Sequence, residues 1–158
     1  MKWTDALLIG NIGEHEAARF FSLRGWHVRP KPHGEYGPDF VLEKDKWQFT
    51  CDVKARQSPF FGGKVNRRLL VETRTTNKTG WIYADQSRLV VFWYTDVVIV
   101  AERDGLVSML DEGFGERRKE TSEGEGGRKT GQEVVLLPWG DVKAWFREKG
   151  GILRMIWK

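Results

Sequence analysis

Residues 47–55 (WQFTCDVKA) alternate between apolar and polar side chains, a pattern that predicts a β-strand with one buried face. Side chains two positions apart on a strand point to the same face. Asp52 and Lys54 are therefore expected to project together, away from the apolar side. This segment constrains the fold most, because it needs an apolar layer on one side and sets a carboxylate beside an amine on the other.

A second carboxylate lies on the strand expected just before this one. Asp39, in Gly37-Pro38-Asp39-Phe40, begins a predicted strand over residues 39–43, and residues 43–46 turn the chain into the alternating segment. Carboxylates are the hard oxygen ligands that suit Mg²⁺, and a bound metal polarises a phosphoryl oxygen and activates water. The Lys54 ammonium can stabilise charge that develops on a phosphate. These three residues predict metal-assisted hydrolysis of a phosphodiester.

An amphipathic helix is predicted over residues 9–24, ending at Gly25. Its apolar face consists of Ile12, Ala17, Phe20, Phe21 and Leu23. Glu14 lies near the edge of that face and is the candidate for a third metal ligand, whereas Glu16 is about 200° further round the axis and more exposed to solvent. The alternative is that Glu14 only forms a capping box with Asn11 at the start of the helix.

The remainder of the chain reads as one domain, residues 1–158, with several further strands. These are predicted over residues 26–29, 69–75, 89–94, 97–101, 106–110, 133–137 and 152–157, and a second helix over 140–148. Asp104-Gly105 is taken as the turn of a hairpin. Residues 111–131 contain six glycines and many charges, so a flexible surface loop is predicted there.

The positive charge of the chain is concentrated in one segment. Residues 53–80 contain seven basic residues against Glu72 alone, whereas residues 1–52 and 81–158 each have a net charge of −1. A solvated basic face is the simple interpretation, and pairing with the basic residues is the better interpretation of Glu72. Next to a site for phosphate chemistry, the segment is also typical of a DNA groove. The candidate phosphate contacts are Arg56, Lys64, Arg67, Arg68, Arg74 and Lys78.

Several other classes of protein are excluded or disfavoured. No apolar run reaches the length of a membrane span, and no secretory signal is recognisable at the start, so a cytoplasmic location is expected. Cys51 is the only cysteine, which excludes a disulfide framework or a cysteine-based zinc cluster. The histidines are not spaced as zinc ligands.

Four segments together resemble the PD-(D/E)xK nuclease superfamily. They are residues 10–14 (GNIGE), Gly25-Trp26, residues 37–40 (GPDF) and residues 52–56 (DVKAR). Within the superfamily, the short first helix is most similar to that of archaeal-type Holliday junction resolvases and their viral relatives. The resemblance covers about residues 8–56, roughly a third of the chain.

The resemblance implies a restriction-endonuclease-like α/β fold, in which helices flank a central mixed β-sheet. It implies a homodimer that uses Mg²⁺, or Mn²⁺ in its place, to make paired symmetric nicks in four-way DNA junctions during recombination or repair. Glu14, Asp39, Asp52 and Lys54 would be the catalytic residues, with the Val53 carbonyl as a further metal ligand. Asp52 stands where resolvases more often have Glu. A viral member would act in the host cytoplasm.

Two other functions remain open at this point. The same chemistry could act on other DNA substrates, in repair, replication or restriction. Alternatively, the chain could be a catalytically silent DNA-binding module on the same fold, although clustered carboxylates near phosphate bring no benefit to a pure binder. His33, Tyr36 and Trp81 are secondary candidates for contacts with DNA, Trp81 by stacking on an unpaired base.

Overall fold

The computed structural model describes residues 3–31, 37–55, 67–76, 78–123 and 129–158. Within these ranges the chain forms an α/β fold with two sheets. Its elements in chain order are α1 (Trp3–Ser22), β1 (His27–Pro30), β2 (Phe40–Lys44), β3 (Trp47–Lys54), β4 (Arg68–Thr75), β5 (Lys78–Thr79), α2 (Trp81–Ala84), β6 (Leu89–Trp93), β7 (Val97–Glu102), α3 (Arg103–Asp111), β8 (Glu116–Glu123), β9 (Lys129–Pro138), α4 (Trp139–Lys149) and β10 (Leu153–Trp157).

The larger sheet has six strands in the order β1-β2-β3-β6-β7-β10. Strands β3 and β6 run parallel, and the other neighbours run antiparallel, so the sheet is mixed as expected. The alternating segment forms β3 as predicted, and the apolar run from Leu89 is the buried strand β6 beside it. Both strands therefore lie in the interior of the sheet. Strand β2, which follows Asp39, is the neighbour of β3 on the side away from β6.

Different layers cover the two faces of this sheet. Helix α1 packs on one face through Ala17, Phe20 and Phe21, which contact the buried side chains of Cys51 and Val53. On the other face, the smaller sheet, of order β5-β4-β9-β8, shares an apolar cluster with α2, α3, α4 and the strands β6 and β7. The sheet is thus flanked by helices on both faces, but a second sheet on one of them was not foreseen.

The first helix differs from the prediction at its start. Because α1 begins at Trp3, Asn11 and Glu14 lie in its interior, and the capping-box interpretation of Glu14 is wrong. Ile12 is 47% exposed and Leu23 is 74% exposed, so neither belongs to the buried face. Gly25 does end the helical segment, with a φ of +89° that favours glycine.

The predicted strand over residues 106–110 is also wrong, since these residues belong to α3. Leu106, Met109 and Leu110 are buried at the i, i+3 and i+4 spacing of a helix. Gly105 is not part of a hairpin, and a Cβ there would lie 2.5 Å from the Phe146 ring. Glycine at this position therefore allows α3 to approach α4 closely.

The flexible loop predicted over residues 111–131 is replaced largely by strands. β8 and β9 form an antiparallel pair from Glu116↔Leu136 to Glu123↔Lys129, and the predicted strand over 133–137 is the inner half of β9. From Lys119↔Glu133 to Glu123↔Lys129 the sequence has no large apolar residues, so backbone hydrogen bonds between the strands hold this outer part of the pair together. None of the helices in the described ranges combines the length and apolar character needed to cross a membrane.

Candidate functional site

Asp39 lies just before β2 and is fixed to the end of β3 by two hydrogen bonds. Its N–H donates to the Cys51 carbonyl oxygen at 2.9 Å, which extends the pairing of β2 with β3. The Val53 N–H donates to the Asp39 carboxylate at 2.7 Å. The two motif segments are therefore joined directly, and the position of the Asp39 side chain is set by the backbone of β3.

Glu14 reaches Asp39 because α1 approaches the end of β3 unusually closely. A Cβ at Gly13 would lie 2.4 Å from the Cβ of Ala55, so this contact requires glycine. The next residue, Glu14, is half-buried, and burial raises its pKa to about 7. The Asp39 carboxylate within hydrogen-bonding reach raises this pKa further, while Lys31 and Lys54 oppose the shift. Burial and the neighbouring Asp39 carboxylate thus both disfavour the charged form of Glu14.

Glu16 is not part of this pair, in agreement with its predicted orientation. Its side chain is exposed and accepts a hydrogen bond from the indole N–H of Trp93 at 3.0 Å. Of the two acidic residues in this turn of α1, the one chosen from the helical spacing is the one that lies beside Asp39.

Asp52 projects from the opposite face of β3, toward the smaller sheet and α2. Its side chain is 6% exposed, and burial raises its pKa to about 6. The charge of Asp85 is the next cause of this rise, and Asp39 adds to it, whereas the Ser87 hydroxyl and Lys54 lower the pKa. Ionising a buried carboxylate near two other carboxylates costs free energy. Groups perturbed in this way cluster at functional sites.

Lys54 lies beside Asp52 on the same face, as predicted, and its ammonium has two neighbours. Its Nζ is 2.9 Å from the Asp85 carboxylate and 4.8 Å from the centre of the Trp81 ring. Trp81 is a buried core residue beneath the ammonium, so the suggestion that it stacks on an unpaired base is wrong. The ring and the carboxylate hold the charged end of Lys54 in one position.

Asp85 is the residue that sequence reasoning missed. It follows α2 directly, and its N–H donates to the Trp81 carbonyl oxygen at 2.9 Å. The parallel register does not give its position, because Leu89 pairs with Cys51 and Phe92 with Lys54, so residues before β6 align with the start of β3. Helix α2 instead carries Asp85 to Lys54 at the end of β3, and the sequence gives no signal for this placement.

The Asp39 carboxylate affects both of the other predicted acids: it lies within hydrogen-bonding reach of Glu14, and its charge adds to the rise in the pKa of Asp52. Within the described part of the chain, no three His, Cys, Asp or Glu side chains converge as a group that could hold a metal ion. The oxygen donors suit Mg²⁺, and a cation would relieve the repulsion that raises the pKa of Glu14. A metal site at Glu14, Asp39 and Asp52 remains a prediction.

Family models, curated proteins and solved structures give no match to this chain.

The four predicted DNA contacts that the structure describes, Arg67, Arg68, Arg74 and Lys78, do not form one patch. Arg56 and Lys64 lie outside the described residues. Arg68 pairs with Glu116 at 3.1 Å, and the Arg67 guanidinium lies 5.8 Å from the centre of the Trp157 ring. Arg74 and Lys78 are exposed at the other end of β4, six residues or roughly 20 Å along the strand from Arg68.

Proposed function

We propose that this chain is a Mg²⁺-dependent DNA endonuclease, with four-way junctions as its preferred substrate. The observation that carries the proposal is the Val53 N–H bond to the Asp39 carboxylate at 2.7 Å, which fixes Asp39 at the end of β3, within hydrogen-bonding reach of Glu14. Clustered carboxylates with a lysine beside them are the groups that metal-assisted phosphodiester hydrolysis requires. The mixed sheet also fits the proposal, because Asp39 lies just before β2 and Asp52 lies on the neighbouring strand β3.

Glu14, Asp39, Asp52 and the Val53 carbonyl would hold Mg²⁺, and Mn²⁺ would replace it. The ion would polarise a phosphoryl oxygen and make hydroxide available at neutral pH. The protein would contribute the position of Asp39 through the backbone of β3 and the close approach of Glu14 through Gly13. Lys54 would stabilise the charge that develops on the phosphate, with its ammonium held in place by Asp85.

A catalytically silent DNA-binding module is the second candidate, and the electrostatics of the site disfavour it. Burial and neighbouring carboxylates raise the pKa of both Glu14 and Asp52, so folding with both groups ionised at neutral pH is unfavourable. Negative charge near a phosphate also weakens binding. A protein that only binds DNA gains nothing from these carboxylates. A protein that binds a catalytic cation needs them as ligands.

The decisive experiment is a cleavage assay on a labelled four-way junction, with a linear duplex and a flap for comparison. Mg²⁺ should support cleavage and EDTA should abolish it. Asp39→Asn, Asp52→Asn and Lys54→Met should each lower the rate by about 100-fold or more, because each removes a group that acts in the transition state. Asp111→Asn, an exposed acid at the end of α3, is the matched control.

Full activity in the Asp39 and Asp52 variants would refute the proposed chemistry. Faster cleavage of the duplex or the flap than of the junction would keep the chemistry and change the substrate. Paired nicks in a symmetric junction also require two active sites, so we propose a homodimer. Light scattering on the purified protein, with and without junction DNA, tests that part.

A further inference from the structure

A groove lies between α2 and the end of the smaller sheet that projects beyond the apolar core. Its volume is about 1340 Å³. Basic and hydroxyl-bearing side chains predominate in its lining, which includes Arg74, Lys78, Thr79, Tyr83 and Lys119. A groove of this composition suits a ligand that carries negative charge and accepts hydrogen bonds.

The strand register explains why the basic residues face the groove together. Arg74 lies opposite Thr79 on β5 and opposite Glu133 on β9, and Glu133 in turn lies opposite Lys119 on β8. Residues directly opposite one another in antiparallel strands share one face of the sheet. Four strands therefore contribute one row of side chains, with a cation on each side of Glu133.

The carboxylate of Glu133 is already neutralised within the sheet. It accepts hydrogen bonds from the Arg117 guanidinium at 2.9 Å and from the Thr73 hydroxyl at 3.0 Å. Among the described residues, Arg74, Lys78 and Lys119 form no ion pair within 4.0 Å. Glu120 also lines the groove, so its charge balance remains positive but is reduced.

The groove and the candidate active site lie against the same short helix, α2. Tyr83 and Ala84 of α2 form part of its wall, and the next residue is Asp85, whose carboxylate is 2.9 Å from the Lys54 ammonium. Consecutive Cα atoms are about 3.8 Å apart, so Asp85 directly follows the part of α2 that lines the groove. Helix α2 is therefore the element that the groove and the candidate site share.

On this geometry, and on the proposed function, we infer that the groove binds the phosphodiester backbone of the DNA arm that leads away from the cut. Arg74, Lys78 and Lys119 contact successive phosphates, and the hydroxyls of Thr79 and Tyr83 donate hydrogen bonds to phosphate oxygens. Such contacts position the DNA without reading its sequence. The smaller sheet is thus a DNA-positioning element that extends the catalytic surface.

The test is fluorescence anisotropy with a labelled duplex and a labelled junction, in EDTA so that no DNA is cut, over a series of salt concentrations. Arg74→Ala combined with Lys119→Ala should weaken binding about tenfold or more at low salt. It should also reduce the slope of log K against log salt by about two, since two phosphate contacts are lost. Arg74→Lys with Lys119 intact keeps the charge and should bind within about threefold of the unmodified chain.

The matched control is Lys143→Ala combined with Arg147→Ala, which removes the same charge from the exposed face of α4. It should change the affinity less than twofold, whereas an equal loss in both double variants would show that only net charge matters and would overturn the inference. Unchanged binding by the groove variant would also overturn it. Circular dichroism confirms that each variant is folded.

The inference and the proposed function fail in different ways. Suppose that the unmodified chain cleaves DNA with Mg²⁺ and that the Arg74 and Lys119 variant binds DNA undiminished. The nuclease function would then stand, and the assignment of DNA binding to the groove would be refuted. Suppose instead that no substrate is cleaved and that the Arg74 and Lys119 variant shows the predicted loss of affinity and salt slope. The groove would then be a DNA-binding site, and the nuclease function would be refuted.

Discussion

The charge of Asp52 should destabilise the folded protein, and Asp52→Asn should therefore stabilise it. Burial and the nearby Asp85 raise the pKa of Asp52 from 3.8 to about 6. Each pKa unit corresponds to about 1.4 kcal/mol, which sets a ceiling of about 3 kcal/mol on the cost of ionising this group in the folded state. Solvent around the partly exposed Asp85 and Lys54 screens these charges, so we expect a gain of about 1–2 kcal/mol.

The sign of this effect gives it a distinctive pH dependence. Below pH 3.8 the carboxyl is protonated in both the folded and the unfolded chain, and its charge costs nothing. As pH rises toward 6, the unfolded chain loses the proton first, so the stability of the unmodified protein falls. Asn cannot ionise and keeps a carbonyl oxygen to face the Ser87 hydroxyl. The advantage of the variant should therefore grow from about pH 4 and level off above about pH 7.

Urea unfolding in EDTA at pH 4.5 and pH 7.5 measures the free energy of unfolding of both proteins. Asp111→Asn removes an exposed carboxylate and should change this free energy by less than about 0.5 kcal/mol at either pH. The reasoning would be refuted if Asp52→Asn were less stable than the unmodified chain at pH 7.5. It would also be refuted if the difference between the two were the same at both pH values.

Three further predictions test the remaining parts of the site. Mg²⁺ at millimolar concentration should raise the melting temperature in a thermal-shift assay, because it relieves the repulsion between carboxylates, and Asp39→Asn should lose this effect. Gly13→Ala should cost about 1–3 kcal/mol in urea unfolding, because its Cβ has no space, whereas Gly140→Ala in α4 meets no atom within 4 Å and should be neutral or mildly stabilising. Asp85→Asn should slow cleavage at least tenfold with little change in KM, because the Lys54 ammonium loses its fixed position; an unchanged kcat would show that Asp85 has no role in positioning it.

The local part of this architecture follows from the sequence. Strict alternation sets β3, and the continuous apolar run sets β6, because burial on one face or on both faces leaves a direct pattern in the chain. The proximity of Asp39 to β3 also follows, since only a short turn at residues 45–46 joins the two strands. These elements hold two of the predicted acids and the lysine.

Elements that depend on distant partners could not be predicted in the same way. Gly105 has the sequence of a turn, yet it lies in a helix because the Phe146 ring occupies the space of a side chain. The outer part of β8 and β9 has the composition of a loop, and its order comes from the ladder between the two strands. Asp85 meets Lys54 only because α2 folds back toward the end of β3, which brings together residues far apart in the chain.

The arrangement of charge around Asp39 is the strongest reason to expect a cation there. Gly13 allows Glu14 to approach Asp39, and β3 buries Asp52 near Asp85, so folding buries carboxylates close to others that oppose their ionisation. Asn in place of Asp52 would fill the same space without this cost, and a protein that needed only a stable surface for DNA would have no use for the carboxylate. A site that sacrifices stability in this way is explained when the ionised carboxylates have a ligand, and the ligand that suits them is a divalent metal ion.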